Sequence, residues 1–147
     1  MVAQSGDGMT VDQIAREEVV TATREDGAAA IAERMAEADV GAVVITEGDE
    51  PAGIVTDRQI ATTVGADGTV ADLDATDLMT ADPVTVGTDA APFELVQTFS
   101  DAGVRRLPVV DGDGALAGIV SLDDLLVLLA NEFADVGDVL EAQSPRF

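Results

Sequence analysis

The sequence predicts an α/β (α+β) fold of two β-α-β-β-α repeats packed about a pseudo-twofold axis. Three observations carry that prediction. The chain of 147 residues matches itself at an offset of 64, then 65, residues. Its predicted strands are apolar almost without interruption, the pattern of strands covered on both faces. It is 47% apolar with four aromatics, all Phe, so its core must be built from Val, Ile, Leu and Ala.

The repeat is read pair by pair. Ile14 meets Leu78, and Val20-Thr21-Ala22 meets Val84-Thr85-Val86. Ile31 meets Leu95, Met35 meets Phe99, and Val40 meets Val104. After one inserted residue, Gly53-Ile54-Val55-Thr56 meets Gly118-Ile119-Val120-Ser121. The two copies span about residues 10–66 and 74–131. One copy of that size could hardly hide so much apolar surface alone, whereas two packed together share a core.

Each copy opens on a short β run, Val19 to Ala22 and Val84 to Val86. An amphipathic helix follows, with Ala28, Ile31, Ala32 and Met35 on its apolar face, and Phe93 (or Leu95), Val96 and Phe99 in the second copy. The dense strands "VGAVVIT" and "VRRLPVV" come next. Glu47-Gly48-Asp49-Glu50 and Asp111-Gly112-Asp113-Gly114 supply hairpin turns. The third strand is "AGIV" in both copies and runs into a helix, Asp57 to about Val64 or Leu122 to about Glu132. "GADGTVADLDAT" reads as an acidic linker, and residues 132–147 as a C-terminal tail.

Composition narrows the function. Asp and Glu number 29 against seven Arg and no Lys, for a net charge of −22. Such a chain repels itself until salt screens it; at molar salt the Debye length is about 3 Å. The bias resembles the proteins of extreme halophiles, so a halophilic archaeon is the expected source. Seven Arg cannot supply the basic face that nucleic acid needs. With no Cys and no His there is no thiolate zinc site, no thiol nucleophile and no imidazole base or ligand. Dispersed acids form no evident catalytic pair, so no catalytic residue, no metal site and no enzyme activity are expected. No apolar run is long enough to span a bilayer, and the N-terminus lacks a signal pattern. A soluble cytoplasmic protein is the expectation.

"LMTADPVTV", "VRRLPVVDGDGALAGIVSLDDLL" and "VGAVVITEGDEPAGIVTDRQI" resemble a tandem pair of CBS domains, a Bateman module, from about Val11 to Asn131. The resemblance implies two units packed sheet to sheet, usually dimerising into a flat disk of four. It implies clefts that take an adenosine ligand such as AMP, ADP, ATP or S-adenosylmethionine. It also implies a regulatory, stand-alone module acting on an unseen partner protein, with no obligatory cofactor.

The candidate site is Ser121-Leu122-Asp123-Asp124. Locally this is helix punctuation, with Ser121 as N-cap and Asp124 completing a capping box. An ionised Asp124 could also take both hydroxyls of a ribose, with the Ser121 hydroxyl and the helix amides beside it. In the CBS family that hydroxyl-x-x-Asp motif is the ribose signature. The first copy carries Thr56, Asp57, Arg58 and Gln59 instead. Gln keeps the capping box but offers one oxygen and no charge, so this second cleft is expected to be weakened or altered. By the same resemblance, Glu18, Val19, Thr23, Val40, Gly41 and Ile119 line the Asp124 cleft. Arg105 and Arg106 precede "LPVV", where the family contacts ligand phosphates; strand alternation lets only one aim at a given cleft. Arg58 could meet a phosphate in the other cleft. Acids could bridge Mg²⁺ to phosphates, though no motif fixes such a site. The alternative, from a different class, is a ligand-free scaffold for dimerisation.

Overall fold

The computed structural model describes residues 10–67 and 70–143. The first copy forms β1 (Thr21–Ala22), α1 (Ala28–Ala38), β2 (Ala42–Glu47), β3 (Glu50–Thr56) and α2 (Asp57–Asp67). The opening segment of the second copy forms α3 (Ala75–Leu78) and β4 (Thr80–Ala81). The second copy forms β5 (Val86–Gly87), α4 (Pro92–Ala102), β6 (Arg106–Val110), β7 (Leu116–Ser121) and α5 (Leu122–Gln143). The repeated β-α-β-β-α order is therefore the order of the fold.

Among the described residues there are two sheets, ordered β1-β2-β3-β4 and β5-β6-β7. In each, the short opening strand lies parallel to the second strand, and the second and third form an antiparallel hairpin. Strands β2 and β6 are buried on both faces. Val43, Ile45, Leu107 and Val109 face their helices, while Val44 and Pro108 are buried on the opposite side.

The expected shared core resolves into two clusters knitted together by exchanged segments. One contains Leu95, Leu107, Val120 and Leu125 of the second copy, but also Val11, with Ile14 and Ala15 packed against it. The other contains Ile31, Val43 and Val55 of the first copy, but also Ala75 and Leu78. The opening segment of each sequence repeat thus packs into the other's core. Backbone bonds fix the exchange. Val11 N–H donates to Ala90 O at 2.9 Å, and Arg16 and Ile119 exchange two bonds at 2.8 and 3.0 Å. Thr80 pairs with Ile54 at the equivalent place in the other sheet.

The exchange explains the glycine of "AGIV". A Cβ on Gly118 would lie 2.8 Å from the Arg16 carbonyl oxygen, and one on Gly53 would overlap the Met79 side chain. Each glycine lets the crossing chain approach.

The choice left open between Phe93 and Leu95 falls to Leu95, which is fully buried, while Phe93, just after Pro92 at the start of α4, is 86% exposed. Three expectations are corrected. Val96 is exposed. The linker is not a plain spacer, since Val70 and Leu73 pack on the first core and Asp74 caps α3 by accepting from Asp77 N–H. Last, α5 does not stop near Glu132; it runs to Gln143, through most of the expected tail. Residues 144–147 lie outside the described residues.

Candidate functional site: two unequal clefts

Each third strand delivers a helix N-terminus into a cleft. Leu122 N–H donates to Arg105 O at 2.8 Å, and Asp57 N–H donates to Gly41 O at 3.0 Å. These bonds tie the start of α5 and of α2 to the segment just before the neighbouring strand. The two clefts therefore share this backbone framework.

The first cleft is a cavity of about 240 Å³. It brings together Glu18, Val19, Val40, Gly41, Arg106, Ile119, Ser121, Asp123 and Asp124, all expected from sequence. Thr23 does not join them. Its amide donates instead to Asp26 Oδ2 at 2.8 Å, closing the turn before α1. Arg105 is also absent from this wall; it is exposed and pairs with Asp123 at 3.6 Å. In this cleft only half-buried Arg106 of the pair lines the wall, but the expectation that one arginine alone can face a given cleft is corrected at the second cleft, which both of them line.

The two helix starts are bonded differently. Thr56 and Gln59 complete a capping box: Gln59 N–H donates to Thr56 Oγ1 at 3.2 Å, and Thr56 N–H donates to Gln59 Oε1 at 2.7 Å. At α5, Asp124 N–H donates to Ser121 Oγ at 3.0 Å. Yet Asp124 Oδ2 is buried and accepts no hydrogen bond. Its nearest cation is Arg16, whose Nε lies 3.6 Å away on a largely exposed side chain. An acceptor in that state is costly unless something supplies a donor.

Sequence reasoning missed Arg16 and Asp39. Both line the first cleft, and the repeat alignment holds the signal for each. Arg16 aligns with Thr80, and in the second cleft Gln59 Nε2 donates to Thr80 Oγ1 at 2.7 Å. The same two positions thus touch across both clefts, as a cation–carboxylate pair in one and a neutral amide–hydroxyl pair in the other. Asp39 aligns with Gly103. Both end their helix in the left-handed region, at φ 55 and 66. Asp tolerates that conformation less well than Gly, and here it adds a carboxylate to the cleft wall.

The second cleft, about 870 Å³, is lined by Thr56, Arg58, Gln59 and Thr80, and also by Arg105 and Arg106. Gly41 and Ala42 align with Arg105 and Arg106, so one copy alone carries the adjacent cations. A Cβ on Gly41 would lie 2.7 Å from an Arg106 guanidinium nitrogen, so the glycine makes room for that side chain. Electrostatically the clefts are opposites. The first sets Arg16 and Arg106 against Glu18, Asp39, Asp123 and Asp124. The second sets Arg58, Arg105 and Arg106 against Asp57 and Asp82. Among the described residues no cluster of acids is arranged to hold a metal ion.

The sequence matches the CBS domain over residues 11–66 and 75–131. This chain belongs to the CBS domain family. It is 40% identical over 120 residues to the uncharacterized protein MK0525 of Methanopyrus kandleri, covering 80% of this chain and 61% of that protein. It spans less than two thirds of the length of the first curated relatives it matches. The CBS domain pair of protein MJ0100, solved with 5′-methylthioadenosine and S-adenosyl-L-methionine, has the same fold. The TM-score is 0.74 at 21% identity, covering 85% of this chain and 98% of that one. CBSX2, solved with AMP, aligns with a TM-score of 0.73 at 21% identity, over 84% of this chain and 98% of that one. Among the described residues no helix is long and apolar enough to cross a membrane.

Proposed function

We propose that this CBS pair is a regulatory sensor that binds one adenosine-type ligand per chain in the Asp124 cleft. Its occupancy would be passed to a partner protein by favouring one packing of the repeats. One observation carries the reading: buried Asp124 Oδ2 lacks a hydrogen-bond donor while facing a cavity shared with the Ser121 hydroxyl. A ribose diol supplies the missing donors. The ligand-bound MJ0100 and CBSX2 pairs support the ligand class.

The charge of the cleft narrows the choice. Four carboxylates against two guanidiniums disfavour a triphosphate. The favoured ligands are S-adenosylmethionine, whose sulfonium is cationic, and the less charged AMP, ahead of ADP or ATP. Neither Mg²⁺ nor an enzymatic step is part of the reading. The protein would work in the cytoplasm of a salt-rich cell as a homodimer.

Calorimetric titration in molar KCl with AMP, ADP, ATP and S-adenosylmethionine tests it. Binding of S-adenosylmethionine or AMP, lost in Asp124→Ala, is the expected result; silence with all four ligands refutes it. The exposed apolar residues Phe93, Leu126 and Val127 favour a second reading, a ligand-free interaction scaffold. That reading predicts an unchanged melting temperature with every nucleotide.

A further inference from the structure

The C-terminal half of α5 serves neither cleft. From Ala130 to Glu141 every residue is exposed, on all sides of the helix. A helical segment this exposed on all sides buries little apolar surface and is marginal in water by itself, so its exposed apolar residues call for a surface to pack against.

Its pattern says what. Leu126, Leu129, Phe133, Val136 and Leu140 recur at alternating spacings of three and four. That is a heptad seam, the a and d positions of a coiled coil. It differs from the stripe that holds α5 to its own core, where Leu125 and Leu128 are buried. Leu129 sits where the seam leaves the body, half-buried against the core. Beyond it, Phe133 is 72% and Val136 54% exposed.

The charges say which partner. Helix α5 has no Lys or Arg. In the heptad frame Asp135, Asp138 and Glu141 fall at the outward c, f and b positions. The positions flanking the seam are Ala130, Glu132, Gly137 and Val139. A helix built to meet a basic partner would place its acids on those flanks. This one keeps all but Glu132 away from them, as a helix must to meet an acidic copy of itself. In a parallel pair Glu132 falls opposite the partner's Gly137, so no carboxylates confront each other across the seam. Anionic lipid is disfavoured by the same absence of cations.

We propose that α5 pairs in parallel and in register with α5 of a second copy, through Phe133, Val136 and Leu140, starting from Leu129. The inference rests on the homodimer part of the proposed function and on none of the ligand chemistry.

The chain has no Cys, so single-cysteine variants report the seam cleanly. A disulfide needs Cα atoms within about 7 Å. In the full chain at molar KCl, oxidised Val136→Cys should yield covalent dimer at least tenfold faster than Asp138→Cys, which points outward. Sedimentation of the unmodified chain at about 100 μM should show twice the mass of one chain. Equal crosslinking rates, or none through Val136→Cys, in a chain that still sediments as a dimer overturn the seam and leave the dimer standing. A monomer at that concentration overturns both. An α5 occupied by a different protein's helix likewise refutes pairing with a second copy.

Discussion

Arg16 Nε lies 3.6 Å from Asp124 Oδ2, across the cleft in which that oxygen accepts no hydrogen bond. The pair is mostly exposed on the Arg side, so its intrinsic strength is about 0.2–1 kcal/mol. A ribose would have to displace it. Arg16→Thr, which copies the residue at position 80, should therefore raise the affinity for neutral 5′-methylthioadenosine by about two- to fivefold. The gain should shrink as salt screens the pair. If Arg16 instead anchors a phosphate, the variant will weaken AMP and leave 5′-methylthioadenosine unchanged; calorimetry with both ligands separates the two roles.

Gln59→Asp tests the asymmetry from the other side. It would give the second cleft the carboxylate found in the first, next to Thr56 and the start of α2. Loss of the Gln59–Thr80 bond should cost about 1 kcal/mol. Ligand stoichiometry should rise from one toward two per chain. A folded variant that still binds one ligand would show that the carboxylate is not what the second cleft lacks.

Gly118→Ala should destabilise the protein by about 1–3 kcal/mol, as overpacking does. The added Cβ meets a backbone oxygen, that of Arg16, and the exchanged bonds between Arg16 and Ile119 prevent retreat. Gly65→Ala on α2 is the control. A Cβ there meets open space, and better helix propensity should stabilise by about 0.5–1 kcal/mol. Chemical denaturation of both variants checks the pair; equal losses would mean that the segment crossing is not the constraint.

Asp26 carries a pH dependence. The Thr23 amide, and more weakly the Arg34 guanidinium at 3.2 Å, hold its carboxyl below the ordinary value of 3.8, against a smaller opposing effect of burial. A folded pKa below the unfolded one means stability that is present above about pH 4 and is lost as pH falls through the folded value. Melting temperature should drop on acidification below that point, and Asp26→Ala should flatten that part of the profile. The second copy has Ala90 at this position, so no symmetric group masks the effect.

The sequence by itself determined a great deal here. An offset of 64 to 65 residues is enough to establish two copies, and alternating apolar runs with Gly-Asp turns give the strand order inside each. Motif chemistry named Ser121 and Asp124, and the Gln59 substitution announced that the clefts would differ. These features are local, or depend only on comparing one copy with the other, so no three-dimensional information was needed.

What tertiary structure decided lies between the copies. Which copy's opening segment packs on which core is a long-range choice, and a repeat alignment is blind to it because both choices give the same pattern. That exchange brings Arg16 to Asp124 and Thr80 to Gln59. That both Arg105 and Arg106 reach the second cleft, and that Phe93 turns outward from the start of α4, likewise needed the folded backbone. The length of α5 was written in its heptads but hidden by their exposure: a helix that does not pack on its own body leaves no mark on the core, and reads as a tail until the backbone is seen to continue.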